Sequence, residues 1–213
     1  MQVSELVRAT SVPLATVKYY LREGLLPAAR KLTARSSEYG EEHVRRLTLL
    51  RMLREIGAIP VGRLRELVDA VDNPRLSEHE VFARASDAIA SSAIPPEQAD
   101  AESRALVDEL LDAIGWTGVR RDAVDVDNLA RVVAQIRRTG LFVVTAESLA
   151  YYATAADAIG RTEIARLPDT DDRAVRLERM VVGTVAYGRV LTILRRLSEE
   201  HHHHSVAEGQ RVL

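Results

Sequence analysis

The chain has 213 residues, 46% hydrophobic and only 4% aromatic, with a formal net charge of −2 and no cysteine. That length suits one large or two small domains with a real core, and the missing cysteine excludes disulfides and any thiolate metal or redox centre made by this chain. No apolar run approaches the roughly 18 residues of a membrane helix. Ser4, Glu5 and Arg8 stand where the apolar part of a signal peptide would begin, so a cytoplasmic protein that does not engage membranes is expected. The charge is unevenly spread: residues 1–70 hold 12 Lys+Arg against 8 Asp+Glu, and residues 71–213 hold 17 against 23. A basic N-terminal part on an acidic body suits a nucleic-acid reader that carries a second domain.

In chain order, residues 4–9 read as a short helix capped by Ser4, and Thr10-Ser11-Val12-Pro13 as a turn. A second short helix covers 14–23, with Leu14, Val17 and Leu21 near helical spacing, and Gly24 stops it. Residues 25–39 hold a proline, cations and small polar residues, which suits a small hairpin or wing. A third helix starts at the acids Glu41 and Glu42, which favour the positive end of the helix dipole. It runs to about Ile56 with Val44, Leu47, Leu50 and Leu53 on one face. A fourth covers about 61–71, and Asp72-Asn73-Pro74 breaks it. Further helices are predicted near 77–92, 97–115, 126–139, 146–166 and 171–200. The whole reads as an all-α, mainly helical chain with one hairpin, divided into domains 1–73 and 74–213.

Two short helices joined by a tight turn form a helix-turn-helix, whose second helix lies in the DNA major groove. Thr16, Lys18, Tyr19, Tyr20 and Arg22 are then the candidate DNA contacts, with cations on phosphates and tyrosine hydroxyls donating to phosphate oxygens. Because adjacent helix positions lie about 100° apart, one of the two tyrosines is as well suited to the core as to DNA. The wing would carry Arg30, Lys31 and Arg35 along the adjacent backbone, with Tyr39 closing it. Arg45, Arg46, Arg51 and Arg54 read as a solvated helix face, and His43 as a surface residue.

Lys18-Tyr19-Tyr20, Gly24-Leu25-Leu26-Pro27 and Arg65-Glu66-Leu67, in that order and spacing, resemble the MerR family of transcriptional regulators across about residues 1–70. The resemblance implies an N-terminal winged helix-turn-helix, a homodimer, a dyad-symmetric operator in double-stranded DNA, and action on the complex of RNA polymerase with a promoter. Three positions depart from the family pattern: Ser11 where glycine is common, Pro13 where Ser or Thr caps the recognition helix, and Arg35-Ser36-Ser37-Glu38 where Gly-Tyr-Arg precedes the last tyrosine. Backbone contacts of the recognition helix carry over; base contacts of the wing do not.

Beyond residue 74 no phosphate loop, zinc-protease spacing or nucleophile elbow occurs, so neither an enzyme nor a cofactor is expected. The last helices, with Tyr151-Tyr152-Ala153, loosely resemble TetR-like ligand-binding bodies. Apolar residues crowd the final helix from Met180 to Leu197 on nearly every side, which predicts burial on more than one face or sharing with a second subunit. Dimerisation is therefore assigned mainly to the C-terminal helices. Trp116, Phe142, Tyr151, Tyr152 and Tyr187, with Phe82, are candidate lining for an effector pocket, with ordinary core packing as the alternative. Without cysteine, a small organic effector suits the chain better than a soft metal. His201–His204 could bind a metal, or could simply be a solvated helix end. The alternative function is a helical ligand- or partner-binding protein with a degenerate DNA-binding domain.

Overall fold

A computed structural model describes residues 1–33, 37–90, 97–170 and 172–207. These residues form nine α-helices and one two-stranded antiparallel hairpin, the mainly helical architecture that composition and spacing predict. Contacts divide the chain into two compact units, Met1–Val61 with Val181–Leu213, and Gly62–Met180.

The first unit holds α1 (Val3–Thr10), α2 (Leu14–Arg22), the hairpin β1 (Arg30–Lys31) and β2 (Ser37–Glu38), α3 (Glu41–Glu55), and the second part of α9 (Arg173–Ala207). Strand register pairs Arg30 with Glu38 and Lys31 with Ser37. Leu6, Val17, Leu25, Leu47, Leu50, Leu53 and Ile59 are buried in this unit. Ser4 does not cap α1: Gln2 is the N-cap, and its backbone N–H donates to the Glu5 carboxylate at 2.7 Å. Gly24 has φ +70 and ends α2, with the N–H of Leu25 returning to the Tyr20 carbonyl at 2.9 Å. At Gly57 a Cβ would sit 2.8 Å from a Val185 methyl and 2.7 Å from the Leu53 carbonyl, so only glycine lets α9 lie this close. The Arg189 side chain also donates to the Ile56 carbonyl at 3.2 Å.

The second unit contains α4 (Val61–Asp72) apart from its first residue, α5 (Glu78–Ala90), α6 (Ala101–Ala113), α7 (Val124–Thr139), α8 (Ala146–Ala165) and the start of α9. Val107, Leu111, Val126, Ala130 and Val133 form a core cluster, with Leu106, Trp116, Val144 and Leu149 packed around it. α6 starts later than the predicted residue 97 because Asp100 caps it, accepting from the Ser103 N–H at 2.7 Å. α7 has alanine as its N-cap, and Asp87 of α5 supplies the missing acceptor to the Val124 N–H at 3.2 Å. At the far end of the unit Arg176 of α9 pairs with Glu78 of α5. Among the described residues no helix is long and apolar enough to cross a membrane.

Candidate nucleic-acid interface

α1 and α2 meet through a turn that the Thr10 side chain helps to close. The Thr10 hydroxyl donates to the Leu6 carbonyl at 2.8 Å and accepts from the Val12 N–H at 3.3 Å. Ser11 then takes the left-handed conformation, φ 55, which glycine adopts without the Cβ clash that any other residue carries. Pro13 follows as the N-cap of α2, with no side chain able to accept from the first turn. The buried carbonyl of Thr10 is satisfied from a distance in sequence, by the Arg51 guanidinium of α3 at 2.8 Å. Arg51 also lies 3.6 Å from Glu55 on its own helix.

This geometry corrects the view of α3 as carrying a solvated arginine face at three of the four arginines: Arg46 is buried and Arg45 and Arg51 are half-buried, while Arg54 is exposed as expected. Arg46 is only 5% exposed and His43 only 3%. α3 packs against α1, and its buried positions are His43, Arg46, Leu47, Leu49, Leu50 and Leu53, which lie on more than one face. Burial here reaches the Nε atoms of Arg45, Arg46 and Arg51. His43 is not a surface residue either: its Nδ1 accepts from the Gly40 N–H at 3.0 Å, closing the start of α3, and its ring meets Tyr39 edge-on at 5.2 Å. Tyr39 in turn is tied to the first residue, its N–H donating to the Met1 carbonyl at 2.9 Å and its carbonyl accepting from the Met1 amino group at 2.7 Å.

Of the sequence-predicted contacts on α2, Lys18 and Arg22 are exposed and Thr16 and Tyr19 half-buried. The Arg22 guanidinium lies over the Tyr19 ring, 5.3 Å from its centre, a cation–π contact that stiffens both side chains. Tyr20 is the tyrosine that packs inward, 6% exposed, and burial pushes its hydroxyl above the ordinary phenol value while the Arg54 charge opposes this. Tyr39 is 8% exposed. Neither ring faces outward, because Tyr20 shares the inner face of α2 with Val17, and Tyr39 is held between Met1 and His43. Leu14, expected on the buried side, is exposed.

On the hairpin, Arg30 and Lys31 are exposed. The Arg30 Nε donates to Glu38 at 2.9 Å across the register, and this hydrogen bond holds the Glu38 carboxyl below its ordinary pKa. Arg35 lies outside the described residues.

The proposed effector-lining aromatics differ in exposure. Trp116 is half-buried, and its indole N–H donates to Asp157 at 3.2 Å. Phe142, Tyr151 and Tyr152 point outward in the same unit, and Tyr187 is exposed in the other. The reason is directional: α8 buries the side that carries Ala153 and partly buries Leu149, which leaves its tyrosines facing away. A hollow of about 510 Å³ between α6 and α7 is lined instead by polar groups, Arg104, Asp127, Asn128 and Arg131 among them.

Residues 1–71 match the MerR HTH family regulatory protein family. An HTH-type transcriptional regulator of Haemophilus influenzae, a ZntR homolog, is 25% identical over 81 residues, which are 38% of this chain and 59% of that protein. The crystal structure of SCO5550 from Streptomyces coelicolor A3(2), assigned as a transcriptional regulator, is 30% identical, covers all of both chains and superposes with a TM-score of 0.75. The chain belongs to the MerR-type transcriptional regulators. In this regulator the family match takes in α1 to α4 and so crosses the boundary between the compact units at residue 61. Regulators of this family bind DNA, and the exposed side chains of α2 give this one a surface with the chemistry for it. The match with the Haemophilus protein spans less than two thirds of that relative, whereas likeness to the Streptomyces regulator extends through the helical body.

Proposed function

We propose that this regulator binds a dyad-symmetric operator as a homodimer, with residues 1–73 reading DNA and residues 74–213 carrying the pairing and effector functions. The observation that carries the reading is the outer face of α2, where Lys18 and Arg22 are exposed beside Thr16 and Tyr19. Paired recognition helices in successive major grooves would read half-sites about 34–36 Å apart. Support for pairing comes from α9, where Val190, Leu191, Ile193, Leu194 and Leu197 are exposed in the single chain. Leucines at this density do not stay in water on a stable helix without a covering surface. The operator would lie at a promoter, where the regulator acts on the complex with RNA polymerase. A small organic effector would act through the helical body, and emission from Trp116 reports its binding.

Binding to the DNA upstream of its own gene tests this reading. The dimer is expected to protect a symmetric site with strong salt dependence. Lys18→Ala is expected to weaken binding nearly uniformly across sequences and to lower the salt slope by about 1 per subunit. Salt-independent binding, or protection of an asymmetric half-site alone, would count against it.

A further inference from the structure

α8 carries a second exposed stripe that the DNA-reading surface and the α9 pairing leave unused. Glu147, Tyr151, Thr154, Ala158 and Arg161 are all exposed. They follow one another at helical intervals of four and three residues, which keeps them within about 40° of one line along the helix. The opposite side, with Ala153 and Leu149, is the packed one. Tyr151 is held against Tyr152 with ring centres 5.8 Å apart at 86°. Arg161 pairs with Asp157 of its own helix, whose other carboxylate oxygen accepts from Trp116 at 3.2 Å. Both large side chains of the stripe therefore have fixed neighbours before any partner arrives.

The order of residues along this stripe reads against itself. Glu147 lies seven positions before Thr154 and Arg161 seven after it. Tyr151 lies three before and Ala158 four after. We propose that α8 is a self-association surface for a second copy of this chain, packed antiparallel about a two-fold axis at Thr154. With a rise of about 1.5 Å per residue, Glu147 comes level with Arg161 of the second copy, and Tyr151 lies within about 1.5 Å axially of Ala158 of the second copy. Each end then joins opposite charges, and each large ring meets a small side chain. Thr154 meets its own counterpart. An isologous interface requires this arrangement, in which residue i contacts j and j contacts i. The apolar loop beside it, with Leu141, Phe142 and Val143 exposed, widens the surface that a second copy would cover. A parallel pairing would set Glu147 against Glu147 and Arg161 against Arg161, which selects the antiparallel one.

The chain contains no cysteine, so Thr154→Cys places a unique thiol on the proposed axis. Close helix pairs bring on-axis Cα atoms to about the 4.4–6.8 Å that a disulfide needs. Under mild oxidation the full-length variant is expected to form a covalent dimer at least tenfold faster than Thr48→Cys, an exposed control on α3. Equal rates would overturn the proposal. Glu147→Arg and Arg161→Glu, each introduced into the Thr154→Cys chain, are expected to slow crosslinking about tenfold, since the contact occurs twice per interface. The double charge swap is expected to restore it, and a double variant no faster than the singles would also overturn the proposal. Sedimentation of the same charge variants without the cysteine gives a readout free of any effect of Thr154→Cys on folding. Failure of the α9 pairing would appear separately, as an association state that charged substitutions in α9 leave unchanged while the residue-154 crosslink still forms.

Discussion

α2 and the second part of α9 both expose a long face to solvent, and the two faces are opposites. The outer side of α2 carries Lys18 and Arg22 over a filled core of Val17, Leu47 and Leu50. The outer side of α9 between 187 and 197 carries Tyr187, Val190, Leu191, Ile193, Leu194 and Leu197. One face is cationic and lies over a core filled by its own chain. The other is apolar and unfinished. Exposure alone therefore says little about partners; the chemistry of what is exposed decides between nucleic acid and another protein surface.

The sharpest way to break this contrast is to charge the α9 face. Leu191→Glu with Leu194→Glu is expected to break the α9 contact and lower the association state, because each buried leucine contributes about 1.5–3 kcal/mol and each counts twice across a two-fold. Sedimentation velocity checks it, and operator affinity should fall at least a hundredfold as the paired half-sites are lost. Far-UV circular dichroism should change little, since these residues are exposed in the single chain.

The α2 side depends on the turn before it. Arg51→Met leaves the buried Thr10 carbonyl without its 2.8 Å donor, a loss of about 1–3 kcal/mol in unfolding free energy. Weaker binding to all operators alike, with Arg51→Lys recovering part of it, is the expected signature; an unchanged denaturation midpoint would show that the contact does not hold the turn. Ser11→Gly should act in the opposite direction. It removes the strain of a left-handed non-glycine residue at φ 55 and should raise stability by roughly 1 kcal/mol, read as a shift in the urea midpoint.

The smallest effect concerns acid. The hydrogen bond from Arg161, and secondarily that from Trp116, hold the Asp157 carboxyl below its ordinary value of 3.8. A depressed carboxylate contributes stability above its unfolded pKa and loses it as pH falls through the folded one. Trp116 emission should therefore shift below pH 3.8, and Asp157→Asn should abolish that transition. A shift centred above that value would show that another group is responsible.

The helix-turn-helix was legible because its signals are local: a turn, a glycine stop after Arg22, cations on a short helix, and Lys18-Tyr19-Tyr20 in the family order. Which tyrosine turns inward was not, since two adjacent residues differ only in direction, and direction is set by the neighbouring helix. Arg51 and His43 were missed for a related reason. Each satisfies a backbone group, one of them 41 positions away, and nothing in an arginine-rich or histidine-containing helix marks that partner. The crowding of apolar residues in α9 was visible and allowed either burial within the chain or sharing with a second subunit; from Tyr187 onward the side chains are exposed, which leaves the first reading to the residues before it. Aromatic content likewise suggested a pocket, whereas α8 turns its tyrosines outward.

The unit that holds α2 is assembled from both ends of the chain, Met1–Val61 and the segment from Val181. Val181 and Val185 are buried, and Val185 lies against the backbone at Gly57, about 130 positions earlier in the sequence. During translation, α1 to α3 emerge long before the residues that complete their core. Until α9 has left the ribosome, the surface at Gly57 that Val185 covers stays open, so the unit that holds α2 completes its core only after the last helix has been made.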